Sequence, residues 1–212
     1  MFTGFTEDTF QFFDAIAANN NRDWWLAHKA HYETSVKQPI LDLTSELALR
    51  YSEAHIFRPN RDTRFTKDKG PYKTSISFSI PDGKCEFYFQ LDTSGILLGG
   101  GLYEPGKQQL QEWREIFDTN RADDVKQFMT KASHDGFKAT RDGALKTAPQ
   151  GWPKNHPDVE YLRLKHIAMF KQFLKDSWML KPESFDTILQ GFELVHEWNL
   201  ILNRLIVSDA SN

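Results

Sequence analysis

The chain has 212 residues, 40% of them hydrophobic and 17 of them Phe, which excludes a disordered chain and gives one domain enough large apolar side chains for a core. Lys and Arg number 26 against 29 Asp and Glu, a net charge of -3, which excludes a surface that is wholly a polyanion-binding face and makes any anion site local. The first residues, MFTGFTEDTF, lack a basic stretch followed by an apolar run, and nothing approaches the ~18 apolar residues that span a bilayer, so a soluble, cytoplasmic protein away from membranes is expected.

Thr6 followed by Glu7 and Asp8 reads as a helix cap with acids in the first turn, and Phe10, Phe13, Ile16 and Ala17 recur at helical spacing behind it. The run Asn19 to Asn21 stops that helix, and Asn21 or Asp23 caps a second one carrying Trp24, Trp25, His28, Tyr32 and Val36. Pro39 is read as a kink or as the first turn of a third helix, since Ile40, Leu43, Leu47 and Tyr51 keep the period. From Thr74 the period falls to two. Ile76, Phe78 and Ile80 alternate with serines, Pro81 to Gly83 turns the chain, and Cys85, Phe87, Phe89 and Leu91 alternate with polar residues, which gives an antiparallel hairpin. A lone cysteine in such a strand excludes an intrachain disulfide and reads as a small core hydrophobe.

A further turn at Asp92 to Gly95 leads into a third strand from Ile96, which runs into Gly99, Gly100 and Gly101. Pro105 opens another helix with Leu110, Trp113 and Phe117, and Ala122 to Lys131 forms the next. Residues 133–157 are rich in Gly, Pro, Asp and His, with short strand pieces expected near Phe137 and Leu145. Leu162 to Phe173 fits helix or strand equally, and a long amphipathic helix follows Pro182. Helices, then an antiparallel meander, then helices again give an α+β fold: one domain over residues 1–212, its sheet flanked by N-terminal helices and a long C-terminal helix.

Between Arg58 and Lys73 the chain reads RPNRDTRFTKDKGPYK, six basic residues against two acids, a local net of +4. Arginine forks bind phosphate or carboxylate oxygens in pairs and lysines add point charges, so Arg61, Arg64, Lys67, Lys69 and Lys73, with Asp62, Asp68 and Tyr72 among them, form a candidate anion-binding element. Gly70 and Pro71 provide a turn that folds these side chains over one spot. The competing reading is a solvated face with weak surface ion pairs. Gly99, Gly100 and Gly101 imply a bulge, a positive φ, or the close approach of a backbone or a ligand, and the helix start downstream could help hold an anion. They match neither a dinucleotide fingerprint nor a Walker loop.

Four stretches in this order, FQFFDAIAANNNRDWWLAHKAHYE, RDTRFTKDKGPYK, GGGLYEPGKQQL and LKTAPQGWPKNHPDVEYLRLKH, resemble the uncharacterised family called domain of unknown function 2461, over residues 5–206. The resemblance implies that Asn21, Arg22, Trp24, Arg61, Asp62, Arg64, Phe65, Lys67, Asp68, Lys69, Pro71, Tyr72, Lys73 and the three glycines stand at family-pattern positions, and it implies no activity, cofactor or substrate. Trp25 and Thr66 stand where the family commonly has Phe and Ser.

The remaining constellations point to structure. His28 and His31 lie three apart on a helix without a zincin-type acid, so no metal site is expected, and His156 in Asn-His-Pro caps a turn. Three functions stay open. One is a module that binds a phosphorylated small molecule or a nucleic-acid backbone through the basic segment, with Arg141 and Lys146 as further cations. Another is an enzyme on a phosphate- or carboxylate-bearing substrate, with Asp62 or Asp68 as base or metal ligand and Arg61, Arg64 or Lys73 stabilising charge. The third is a domain that meets a protein partner.

Overall fold

The computed structural model describes residues 1–62 and 70–209. Helix α1 (Glu7–Ala18) begins at Thr6, whose hydroxyl accepts from the Thr9 N–H at 3.2 Å, and the acids Glu7 and Asp8 sit where the helix dipole favours them. Helix α2 (Arg22–Tyr32) is capped by Asn21, which accepts from the Trp24 N–H at 3.0 Å. The chain then passes through a π-helical turn, Glu33–Lys37, straight into α3 (Gln38–Leu47). Pro39 lies in the first turn of α3, so it breaks nothing there.

Strand β1 (His55–Ile56) precedes the meander of β2 (Ser75–Asp82), β3 (Cys85–Asp92) and β4 (Gly95–Leu102). Helices α4 (Lys107–Ile116) and α5 (Arg121–His134) follow, then β5 (Lys138–Ala139), α6 (Val159–Leu162), β6 (Ile167–Leu174), a 3-10 turn at Ser177–Leu180 and α7 (Ser184–Leu205). The six strands form one sheet in the order β1-β2-β3-β4-β6-β5, and the fold is α+β. The expected strand near Phe137 is β5, whereas Leu145 lies in none of the described strands and its N–H donates to Arg163 O at 2.9 Å. The stretch that fitted helix or strand contains both, α6 ending at Leu162 and β6 beginning at Ile167. The helix after Pro105 starts two residues later than that proline, with Gly106 at its cap.

The chain forms two compact units. The first comprises Met1–Ile80, Tyr88–Leu98 and Gln172–Gly191. Its core holds Phe10, Phe13, Ile16, Val36, Ile40 and Leu43 from the helices, with Phe78 stacked on Phe89 at 4.8 Å from the strands. Each buried Phe or Ile contributes roughly 1.5–3 kcal/mol relative to exposure. The alternation expected of β2 is incomplete, because Ser77 and Ser79 are buried along with Ile76, Phe78 and Ile80; their small side chains fit a strand covered on both faces.

The second unit comprises Pro81–Phe87, Gly99–Lys171 and Phe192–Asn212, and Trp113, Phe128 and Trp198 pack at its centre. In it the β2–β3 turn is tied to α7: Asp82 accepts from His196 Nδ1 at 2.8 Å and from the Asn199 amide at 3.0 Å, while Asn203 accepts from the Lys84 N–H at 2.8 Å. Cys85 beside this knot is buried, and burial, helped by the Asp82 charge, pushes its thiol up to about 12, which makes it an inert core residue. Among the described residues no helix is long and apolar enough to cross a membrane.

Candidate anion-binding cleft

The two ends of the basic segment are stapled to each other. Asn60 and Tyr72 face one another in an antiparallel bridge, with the Arg61 N–H donating to Pro71 O at 2.9 Å and the Lys73 N–H to Pro59 O at 2.8 Å. Asn20, at the end of α1, holds this base in place: its amide donates to Tyr72 O at 2.8 Å and its oxygen accepts from the Tyr72 N–H at 3.0 Å. Two bonds to otherwise unpaired backbone groups contribute about 1 kcal/mol each. Gly70 is explained by the same contact, since a Cβ there would lie 2.7 Å from the Asn20 amide nitrogen. The Tyr72 ring stacks on Trp25 of α2 at 4.3 Å and 14°.

This staple brings three cations together. Lys73 lies over the Phe57 ring at 5.4 Å and is held below the ordinary lysine value, first by partial burial and then by the neighbouring charges of Arg58 and Arg61. Arg58 also lines a cleft of about 410 Å³. One wall of that cleft comes from α2 and the π turn, with Trp25, Lys29, Tyr32, Glu33 and Lys37, and the other from the segment Ile56 to Asn60. A volume of this order suits a small ligand. Tyr32 is only 5% exposed and lines the cleft. Burial, with the Glu33 charge second, pushes its phenol up to about 12, so it stays a neutral donor. The cleft is therefore rich in donors and poor in acceptors: Glu33 is engaged with Lys37 at 2.8 Å.

The sequence-derived candidates fall into three groups. Arg61 and Lys73 are half-buried at the staple, Asp62 is exposed beside it, and Tyr72 is buried as its anchor. Arg64, Lys67, Asp68 and Lys69 lie outside the described residues. The glycines belong to the second unit and are treated below. Periodicity placed Trp25 and Tyr32 on a helix and gave Lys29 and Lys37 no distinction; only the fold sets them against Arg58.

A family model described as a conserved hypothetical protein, DUF2461, matches residues 8–199. The chain belongs to this family. No curated protein and no solved structure matches it. The DUF2461 match runs from α1 to α7 and includes both the cleft and the glycine run.

Within that DUF2461 region, Gly99, Gly100 and Gly101 lie inside β4, where the strand comes unusually close to other backbone. A Cβ on Gly99 would stand 2.1 Å from Met169 O, one on Gly100 2.2 Å from Glu86 O, and one on Gly101 2.3 Å from Ile167 O. Gly101 also has φ +126°, a region that side chains oppose. Of the two histidines in α2, His28 stacks on Trp24 at 4.1 Å and His31 contacts Asp8 at 2.7 Å. His156 Nδ1 accepts from the Asp158 N–H at 3.0 Å, the turn cap expected of it. Among the described residues no three His, Cys, Asp or Glu side chains gather as a metal site.

Proposed function

We propose that this protein binds a small ligand bearing phosphate or carboxylate in the cleft between α2 and the segment Ile56 to Asn60. The observation that carries the reading is that Arg58 lines the cleft and Lys73 lies over the ring of Phe57 in the same lining, where the charges of Arg58 and Arg61 act on the Lys73 ammonium. An arginine fork and a lysine ammonium beside the same lining suit a ligand with concentrated negative charge. On the α2 side of the same cleft, Lys29 and Lys37 add two further cations and Tyr32 a phenol.

A small ligand is favoured over a nucleic-acid backbone because the cations meet at a bounded cleft in a chain of net charge -3, where a polymer needs an extended basic stripe. A catalytic role for Asp62 has less support, since that residue is exposed beside the staple.

Isothermal titration with orthophosphate and pyrophosphate tests the site, comparing wild type with an Arg58→Ala/Lys73→Ala double variant whose fold is verified by circular dichroism. Wild type should bind pyrophosphate, and the folded double variant should bind it at least ~10-fold more weakly, about 1.4 kcal/mol. Equal binding by the two proteins, or no binding by wild type at millimolar anion, would reject the cleft as an anion site.

A further inference from the structure

The cleft carries cations on both walls, and they differ in kind. On one wall Arg58 lines the cleft and Lys73 lies over the Phe57 ring at 5.4 Å. Across from it, Lys29, Glu33 and Lys37 stand four residues apart along α2 and the π turn. The i→i+5 bond from the Gln38 N–H to Glu33 O widens the helix there, which brings residues four apart close to one line and turns all three side chains to the cleft. Glu33 pairs with Lys37 at 2.8 Å, so this wall holds a cation together with an internal counter-charge, while Lys29 adds a second cation. Both walls also carry aromatic rings, Trp25 and Tyr32 on one and Phe57 on the other, and Tyr32 brings a phenol to this lining.

A compact ligand with one anionic group would satisfy one wall and leave the other as it is. Filling both requires negative charge at two separated points, joined by a middle that tolerates aromatic walls and offers an oxygen to a phenol. Resting on the anion-site reading, we propose that the ligand is a small molecule with an anionic group at each end, a phosphate held by Arg58 and Lys73 and a second phosphate or a carboxylate held by Lys29 and Lys37, with a hydroxyl or ether oxygen between them facing Tyr32. On binding, the second anion takes the place of Glu33 as the partner of Lys37. Glu33 thereby sets the specificity of that pole: its charge repels an anion that cannot displace it.

The test compares titrations of glycerol 3-phosphate, 3-phosphoglycerate and fructose 1,6-bisphosphate against wild type, Lys29→Ala/Lys37→Ala and Glu33→Gln. Wild type should bind at least one of the two probes with two anionic groups roughly 10-fold or more tighter than glycerol 3-phosphate, which has one. The lysine double variant should lose that preference while keeping its affinity for glycerol 3-phosphate, because the Arg58 pole is untouched. Glu33→Gln should strengthen binding of the two probes with two anionic groups alone. Equal binding of all three probes by wild type, or a preference unchanged in the lysine variant, overturns the two-pole assignment while leaving a single anion site standing. Absence of binding by every probe, together with the failed pyrophosphate titration, removes the site itself.

Discussion

At the scale of single residues, Asp8 shows how a surface carboxylate ties elements together. Its side chain accepts from the Ser35 hydroxyl at 2.5 Å and contacts His31 Nε2 at 2.7 Å, joining the start of α1 to α2 and the π turn that forms one wall of the cleft. The Ser35 bond, and after it the His31 bond, hold the Asp8 carboxyl below the ordinary value of 3.8, against a smaller opposing effect of burial. A carboxyl that is more acidic in the folded state than in the unfolded one adds stability that is fully present above the unfolded value. That stability is lost as pH falls through the folded one. Because both partners are substantially exposed, the contribution is under ~1 kcal/mol. Asp8→Asn should therefore lower the urea midpoint slightly at pH 7 and leave it unchanged at a pH below the folded value; an equal loss at both pH values would show that the carboxylate charge is not what acts.

At the scale of elements, β4 is built around what its glycines lack. Both Gly101 and Gly151 have positive φ, but only Gly101 meets backbone, with Ile167 O 2.3 Å from where a Cβ would stand, while nothing lies within 4 Å of Gly151. Gly101→Ala should combine conformational strain with a clash and cost about 3 kcal/mol, whereas Gly151→Ala should cost about 1 kcal/mol from strain alone. Urea unfolding of the two variants checks this, and equal losses would dismiss the close approach as the reason for the glycine run. Much of this level was legible in the chain itself. The period of two in β3 survives in its burial pattern, with Cys85, Phe87, Phe89 and Leu91 inside, and the caps at Thr6 and Asn21 act as their side chains suggest. The two-residue β1 was not legible, because a strand that short carries no period. Nor was the nearness of β4 to Met169 and Ile167, since a glycine run announces a close approach without naming its partner. The same limit applies to the site. Charge density pointed to Arg58 and Lys73, yet the wall facing them is made of helical residues whose only sequence signal is spacing, and the stack of Trp25 on Tyr72 joins positions far apart in the chain.

At the scale of the whole molecule, charge is distributed unevenly. Residues 58–73 carry six basic and two acidic side chains, +4, so a total of -3 leaves -7 for the rest. A long polyanion in contact with the basic segment would thus also meet surface of net negative charge, and its attraction would be offset outside the cleft. A small anion feels chiefly the cations beside it. The two cases respond differently to salt: a protein neutralising about six phosphates of a polymer loses about 10³-fold in affinity between 50 and 200 mM salt through counterion release, whereas binding of a small ligand at a bounded site has no condensed counterion layer to release and falls far less. Fluorescence titration of a labelled single-stranded oligonucleotide should accordingly show no binding at 150 mM salt, under conditions where pyrophosphate still binds. Tight oligonucleotide binding with a steep salt slope, abolished in the Arg58→Ala/Lys73→Ala variant, would instead make the basic segment a contact surface for a polymer and the cleft its neighbour rather than its purpose.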